Sequence, residues 1–419
     1  EELALKDISG AAVTGGYLLK FDVPAPEDFS FQTRRNYPGL PNALIVTSPG
    51  ASDLVQAQRD YIQGYVQSFE DALQADFASN WRQRTHLDYL DRETWIDHHI
   101  LNTLSMNADG FIRSAYLMKD RRGKLAAGPA WDYDRALGGG DPRTLNPEVW
   151  AGGNGATEPW TYGWWGILAQ DSEFMQAWID RWQKLRQSEF SDSNVSTLLN
   201  GYVARIGAEA PARDAARWPL DSSGGGNTPR FPNAWLGEVD NLQSFVRRRS
   251  AWIDSKFSPP PIITSMNGVL TLTPAPGTRV AYTTDGTDPR ALGGGVAGTA
   301  TLSSTPVTLA NSINLQARSY NSSFRPNTLP GSPWSSLVGN PGRLINLSIL
   351  TELAAGDTFT MGFVVGGADT SGRKALVARA AGPSLEQLGV TDAHSDPKLE
   401  LFAGSTKLSQ NDNWGGTAS

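Results

Sequence analysis

The chain has 419 residues and a formal net charge of −7 at pH 7, with four histidines and no cysteine. The absence of cysteine excludes disulfides, cysteine nucleophiles and cysteine-based zinc sites, and the acidic balance argues against a surface that binds nucleic acid or anionic membranes. No apolar run approaches the ~20 residues of a membrane-spanning helix, and the length predicts two or three domains.

The first 258 residues mix strands and helices. Residues 16–23 are strand-like. Apolar residues at helical spacing predict helices over residues 56–73, 92–104, 173–186 and 241–257. Asp91 is typical of a helix N-cap, and Ile96, Ile100 and Leu104 then lie on one face of the second helix. This helix leads into Asn107, where the most informative segment begins.

Residues 107–143 predict a β-hairpin. Residues 111–118 are apolar and aromatic, residues 120–123 have the composition of a turn, and residues 125–133 return as a second strand. Folding this hairpin about Arg121 and Arg122 pairs its two strands and brings their outer ends together. The sequence therefore predicts that the acidic residues near these ends are neighbours.

Three aspartates are expected to converge at the open end of this hairpin. Asp109 falls opposite Asp134, with Asp132 one pleat step back on the same side. Carboxylates in such a group repel each other, so a cation or a proton is needed to hold them. Mg²⁺ is the usual cation of oxygen-only sites and typically recruits phosphate as a further ligand. Taken alone, Asp109 before Gly110 is typical of a turn, and the two aspartates across the hairpin favour a functional role.

Two short motifs carry a family resemblance. Asn-x-Asp at 107–109 and Gly-Pro-x-Trp-Asp-Tyr-Asp at 128–134 are similar to the signature of the CotH kinase family, atypical kinases related to spore coat protein H. The resemblance covers roughly residues 1–258. It implies that Asp109 orients or deprotonates the acceptor hydroxyl. It further implies that Asp132, with Asp134, holds Mg²⁺ against the phosphates of ATP.

The phosphate-binding part of such a site is not evident. Members of the family carry basic phosphate-binding residues upstream of a segment like residues 14–20, where this chain begins. The sequence has no Gly-rich phosphate loop. Lys20 and Arg113 are the basic candidates for contacting ATP. We therefore expect the 419-residue chain to bind ATP·Mg²⁺ weakly or not at all, and to be inactive by itself.

Several other conspicuous residues have a structural interpretation. His98 and His99 lie on a helix without a His or Cys partner four residues on, so a metal role is not expected. Arg247–Arg249 is interpreted as a solvated helix face. The aromatic residues Trp160, Trp164 and Trp165 are interpreted as packing residues rather than a platform for sugars.

The composition changes at the prolines of residues 259–261, a stiff spacer typical of a domain boundary. Short strands are predicted at 269–272, 280–283, 307–309 and 313–317. Residues 282–289 resemble the motif of the chitobiase/β-hexosaminidase C-terminal module, which implies an immunoglobulin-like β-sandwich over 259–325. A linker over 326–340 and a partial β-rich module over 341–419 follow. The latter resembles modules of large exported bacterial proteins.

The expected fold class is α+β: the C-terminal part of an atypical protein-kinase-like domain, followed by the β-sandwich and the partial β-rich module. The resemblance implies a secreted or cell-surface bacterial kinase that transfers the γ-phosphoryl group of ATP to a Ser or Thr hydroxyl of a protein. The alternative is a non-catalytic surface scaffold or adhesion protein that binds protein or polysaccharide. A glycoside hydrolase is disfavoured, because the chitobiase-like module carries no catalytic carboxylates.

Overall fold

The computed structural model describes residues 3–34, 43–139, 141–152, 158–217, 234–266, 269–310, 314–325, 330–340, 357–361, 380–382, 385–386, 389–403 and 405–412. The chain divides into two compact units. The first combines Glu1–Ile263 with Thr271–Asn340, and the second combines Thr264–Leu270 with Pro341–Ser419. The described residues contain no helix that is both long and apolar enough to cross a membrane.

An antiparallel sheet organises the first part of the chain. Its strands are β1 Tyr17–Asp22, β2 Phe29–Phe31, β3 Ala43–Ser48, β4 Ala115–Lys119 and β5 Leu125–Ala127, in the order β2-β3-β1-β4-β5. Alternate residues of β1 are buried, as a half-buried strand requires. The strand predicted over residues 16–23 is thus confirmed as β1.

Seven α-helices occur in the described residues: α1 Gln56–Ala78, α2 Arg92–Ser105, α3 Gly163–Leu168, α4 Ser172–Arg186, α5 Asp192–Ile206, α6 Glu209–Arg217 and α7 Ala234–Asp254. Asp91 caps α2 as predicted, because its side chain accepts the backbone N–H groups of Glu93 and Thr94. Helix α4 agrees with its predicted range within one residue. Helix α1 begins as predicted but continues to Ala78, and α7 both begins and ends earlier than predicted. Mixed helices and small antiparallel sheets confirm the α+β class.

Tryptophans fill the core between the sheet and the helices. Trp95, Trp160, Trp164, Trp165 and Trp178 are buried in one apolar cluster. The rings of Trp95 and Trp165 lie 5.0 Å apart, as do those of Trp160 and Trp178. The expectation that Trp160, Trp164 and Trp165 are packing residues is confirmed. The cluster fixes α2, and with it the segment that follows α2.

The two adjacent histidines of α2 are buried in this cluster. The Trp178 indole donates to Nδ1 of His99 at 3.0 Å, and Nε2 of His99 lies 2.8 Å from the Pro159 carbonyl oxygen. These partners fit the neutral Nε2–H tautomer, because a second ring proton would face the indole N–H. Burial lowers the pKa of His98 to about 4 and that of His99 to about 3. Both histidines therefore have a structural role, as expected.

These histidines are expected to make the protein acid-sensitive. Their pKa values lie below the ordinary value of 6.5, so the unfolded chain binds more protons between about pH 3 and 6.5 and stability falls as the pH is lowered through that window. From pH 8 to 4.5 the loss is expected to be roughly 2.5 kcal/mol per histidine. Urea unfolding at stepped pH measures it.

A matched pair of variants isolates the source of this acid sensitivity. His98→Phe keeps an aromatic ring against Trp165 and should remove about half of the pH-dependent loss. His394→Gln changes an exposed histidine and should leave the profile unchanged. An unaltered profile in His98→Phe would contradict the prediction.

The segment after the proline run consists of short strands: β6 Ile262–Met266, β7 Val269–Thr273, β8 Arg279–Thr283, β9 Thr301–Ser303, β10 Val307–Ala310, β11 Gln316–Tyr320 and β12 Val338–Gly339. A four-stranded sheet has the order β12-β11-β8-β9. Strand β11 lies later than the predicted strand over 313–317, and residues 311–313 are outside the described part of the chain. The immunoglobulin-like identity of this module stays a prediction.

The predicted linker over residues 326–340 needs a correction. Within its described portion, β12 pairs with β11, and Trp334 is fully buried with its ring 4.6 Å from that of Tyr320. An indole of this size is buried because it fills the core of the module. Residues 330–340 thus belong to the strand-rich part of the first unit, Thr271–Asn340, which we call the β-rich module from here on, and they are not a spacer.

Helix α4 carries a polar row, Glu173, Gln176, Asp180 and Gln183, which we call the α4 polar row. At one end, Arg290 of the β-rich module donates to both oxygens of Glu173, at 2.7 and 2.8 Å. The Arg290 side chain is 5% exposed. A bidentate pair of this kind is geometrically specific. The module is therefore bound to α4 by oriented polar contacts.

A second buried arginine stands at the middle of the row. Arg318 of β11 donates to both oxygens of Asp180, at 2.6 and 2.9 Å, and to both oxygens of Asp288, at 2.8 and 2.7 Å. Further along, the Ser336 N–H donates to Gln183 Oε1 at 2.6 Å. These contacts join residues on both sides of the proline run in one compact unit. Apart from the linker over 326–340, the domain boundaries proposed from the sequence stay predictions.

The second unit is described only in part. Strands β13 Leu399–Ala403 and β14 Thr406–Asn411 form an antiparallel hairpin. Most of the module predicted over residues 341–419, including 341–356 and 362–379, lies outside the described residues. Its kinship with modules of exported bacterial proteins stays a prediction.

Candidate functional site

The hairpin formed by β4 and β5 is shorter than predicted and shifted in register. Met118 pairs with Ala126, whereas folding about Arg121 and Arg122 would pair it with Leu125. Strand β5 ends at Ala127, two residues before Pro129, which has no N–H to donate to the ladder. Beyond Ala127 the Gly128 N–H still donates to the Tyr116 carbonyl at 2.8 Å, and the described ladder has no register pair further on. The predicted opposition of Asp109 and Asp134 is wrong.

The three aspartates do not form one cluster. Asp109 lies half-buried in the turn after α2, while Asp132 and Asp134 are exposed beyond the end of β5. No group of three or more His, Cys, Asp or Glu residues that could hold a metal ion occurs in the described residues. The predicted convergence of three carboxylates is thus incorrect, because the paired ladder on which it depended stops short of them.

Asn107 connects Asp109 and Asp132 instead. Its Oδ1 accepts the backbone N–H of Asp109 at 3.3 Å, and its Nδ2 donates to the backbone carbonyl of Asp132 at 3.4 Å. Tyr133 anchors the same segment, because its hydroxyl donates to Oδ1 of Asn102 in α2 at 3.1 Å. A β-carbon at Gly110 would collide with the same amide oxygen of Asn102. The two sequence motifs are therefore held together through buried amides.

The position of Asp132 is fixed by a second contact. Both Asp132 and Ser114 have left-handed backbones, with φ of 63° and 53°, a region that costs energy for residues with a side chain. The Ser114 hydroxyl donates to Oδ2 of Asp132 at 2.9 Å. Strained backbone conformations of this kind cluster at functional sites. Ser114 was not anticipated from the sequence.

Asp109 contacts an arginine that the sequence interpretation missed. Arg143 donates to the two carboxylate oxygens of Asp109 at 3.0 and 3.4 Å and to those of Asp141 at 2.7 to 3.2 Å. These hydrogen bonds from Arg143 hold the pKa of Asp141 below its usual range. Asp141 before Pro142 is a capping pattern that could have drawn attention to this loop. Arg143 also lines a small pocket with Asn107 and Trp150.

The two basic candidates for phosphate contact differ in their environment. Lys20 lies in β1, and its ammonium is 3.1 Å from Asp22. Burial disfavours its charge, but Asp22 outweighs this and raises the pKa of Lys20. Arg113 is exposed, forms no ion pair in the part of the chain that the structure describes, and donates its backbone N–H to the Asp109 carbonyl at 2.8 Å. Arg113 is the better placed of the two.

The donor set is suited to a weakly held Mg²⁺. This ion is often bound through one or two carboxylates together with water and substrate phosphate. Asp132 and Asp134 offer exposed carboxylates, and only Oδ2 of Asp132 is used by Ser114. The residues present therefore fit a site that is completed by phosphate, although they do not form a dedicated cage.

The sheet and the helical layer define an α+β protein in which Asn107 links the segments of Asp109 and Asp132. Residues 7–253 match the family model described as CotH kinase protein. This match covers more than half of the chain, and the protein belongs to the CotH kinase family. Neither the curated proteins nor the solved structures include a match. The family assignment made from the two motifs is confirmed.

Proposed function

We propose that this protein transfers the γ-phosphoryl group of ATP to a Ser or Thr hydroxyl of a secreted or surface protein in a bacterium. The observation that carries the proposal is the Asn107 amide, which ties the backbones of Asp109 and Asp132 together. Family membership implies use of ATP. Phosphoryl transfer needs two acidic functions at fixed separation, one at the acceptor hydroxyl and one at the metal.

In this proposal the aspartates have separate roles. Asp109 orients the acceptor hydroxyl and takes its proton as the new oxygen–phosphorus bond forms and the nucleoside diphosphate leaves. Asp132, held by Ser114, and Asp134 would bind Mg²⁺, which supplies charge neutralisation at the phosphates. Arg113 is the proposed protein contact to phosphate, with Lys20 as the alternative.

One observation favours a second function. The carboxylate of Asp109 is already engaged by Arg143, an arrangement that also suits a purely structural role. In that case the protein would be a surface scaffold that binds protein or polysaccharide through a kinase-like fold. Measuring phosphoryl transfer directly distinguishes the two functions.

Conservative variants of the two aspartates test the proposal. Asp109→Asn and Asp132→Asn in the full-length protein are each expected to lower the incorporation of labelled phosphate into a Ser/Thr acceptor by at least about 100-fold. The first loses the proton acceptor and the second loses a metal ligand, while circular dichroism should remain unchanged. Scintillation counting after transfer from γ-labelled ATP measures the effect.

Asp60→Asn is the matched control, since it removes an exposed carboxylate of α1 and should leave incorporation within about twofold. Undiminished transfer by Asp109→Asn or Asp132→Asn would refute the assigned roles. Absence of transfer in the unmodified full-length protein, with binding of a partner retained, would favour the scaffold.

A further inference from the structure

We infer that Arg143 is a positioning residue that holds the Asp109 carboxylate in one orientation, an inference that rests on the proposed function. The guanidinium approaches Asp109 with both terminal nitrogens, at 3.0 and 3.4 Å. A planar fork facing a carboxylate fixes the rotation of that carboxylate as well as its place. A lysine could supply the charge but not the second fixed donor.

Arg143 is itself held on its other side. Its Nε and one terminal nitrogen contact Asp141, whose side chain is 8% exposed. Asp141 also accepts the backbone N–H of Arg143 at 2.9 Å, so it caps the short turn in which Arg143 lies. The guanidinium therefore cannot rotate away from Asp109 without breaking several charge-assisted hydrogen bonds.

The Asp109 carboxylate needs a partner that fixes its orientation. Its side chain is 31% exposed and follows the end of α2, where the backbone leaves helical geometry. Among the described residues, Arg143 is the one group that hydrogen-bonds to its carboxylate oxygens. Small misplacement of a catalytic group is costly because reacting atoms must be aligned. The contact thus supplies the orientation that the turn does not.

Kinetics of Arg143 variants test this inference. In the full-length protein, Arg143→Gln should lower kcat about 10- to 100-fold and change KM for ATP by less than about threefold. Arg143→Lys should recover part of the loss, because a single donor restrains the carboxylate incompletely. A residue that only stabilises the fold would lower the melting temperature without this separation of kcat from KM.

Two further variants complete the design. Arg135→Gln removes an exposed positive charge from the same segment and should change kcat by less than about twofold. Adding Arg143→Gln to Asp109→Asn should cause no further loss, since both changes act through one group.

The outcomes separate the two claims. If Asp109→Asn is inactive and Arg143→Gln has an unchanged kcat, the inference is wrong while the proposed function survives. A higher kcat in Arg143→Gln would show that the contact restrains activity and would also overturn the inference. If Asp109→Asn retains full activity, the proposed function fails and the inference fails with it.

Discussion

Replacing Arg249 by methionine is expected to lower the free energy of unfolding by roughly 3 to 5 kcal/mol. This arginine of α7 is 0% exposed. It donates to the backbone carbonyls of Thr103 at 2.7 Å and Pro147 at 3.0 Å, and also to that of Val149. Methionine fills similar space but leaves these buried carbonyls without a donor. Urea denaturation measures the loss.

Loss of the Arg249 contacts should also loosen the end of α2 that leads into the candidate site. Thr103 lies in the last turn of α2, just before Asn107, and a cation is favourable at a helix C-terminus. Burial lowers the pKa of Arg249 to about 9, so the guanidinium still carries its charge at neutral pH. Arg249 therefore joins α7, α2 and the loop that follows Arg143.

The neighbouring arginine provides the control for this prediction. Arg248 pairs with Glu148 at 2.9 Å, and both side chains are about half exposed. Arg248→Met should therefore cost less than about 1 kcal/mol. Equal losses in the two variants would show that general charge, and not the buried contacts of Arg249, sets the stability.

Replacing Arg318 by methionine is expected to loosen the β-rich module from α4. Arg318 is 3% exposed and pairs with Asp180 and Asp288, whose side chains are about one-third exposed. Loss of a fully buried partner costs about 3 to 5 kcal/mol. The partial exposure of these two carboxylates reduces the expected loss to roughly 2 to 3 kcal/mol. Limited proteolysis should then release a fragment that ends near Ser258.

Exposed Arg325 supplies the comparison, because Arg325→Met removes the same charge from an exposed position of the module. It should leave the proteolytic pattern unchanged. If limited proteolysis of the unmodified protein released the same fragment ending near Ser258, the polar contacts of Arg318 would not be what holds the module to α4. Asp180→Asn combined with Arg318→Met should show coupling, since the two residues are in contact.

Local signals predicted the elements well. Asp91 marked the start of α2 because a cap is decided by a few neighbouring residues. The hairpin register was less secure, since a shift of one residue changes every pair. That shift, from Leu125 to Ala126 as the partner of Met118, and the end of the ladder at Ala127 together removed the predicted geometry of the aspartates. The motif residues Asp109 and Asp132 are still linked, through Asn107.

Contacts between residues that are far apart in the sequence could not be predicted from local patterns. The pairing of Arg143 with Asp109 spans 34 residues, and no periodicity encodes it. Arg249 is different, because it shares a helical face with the buried Phe245, Val246 and Ile253. The interpretation of Arg247–Arg249 as a solvated face is wrong for Arg249 and holds for the exposed Arg247 and Arg248. Helical spacing could have separated them.

The α4 polar row limits which modules can be joined to this protein in a chimera. One side of α4 packs Trp178 and Trp182 into the tryptophan core, while the row on its other side is matched to Arg290 and Arg318. A chimera that joins a foreign module after Ser258 would leave Glu173 and Asp180 facing a surface without those arginines. A chimera at this junction should fold stably only when α4 and the β-rich module are taken from the same protein. The segment that must be exchanged as one piece therefore begins before the proline run.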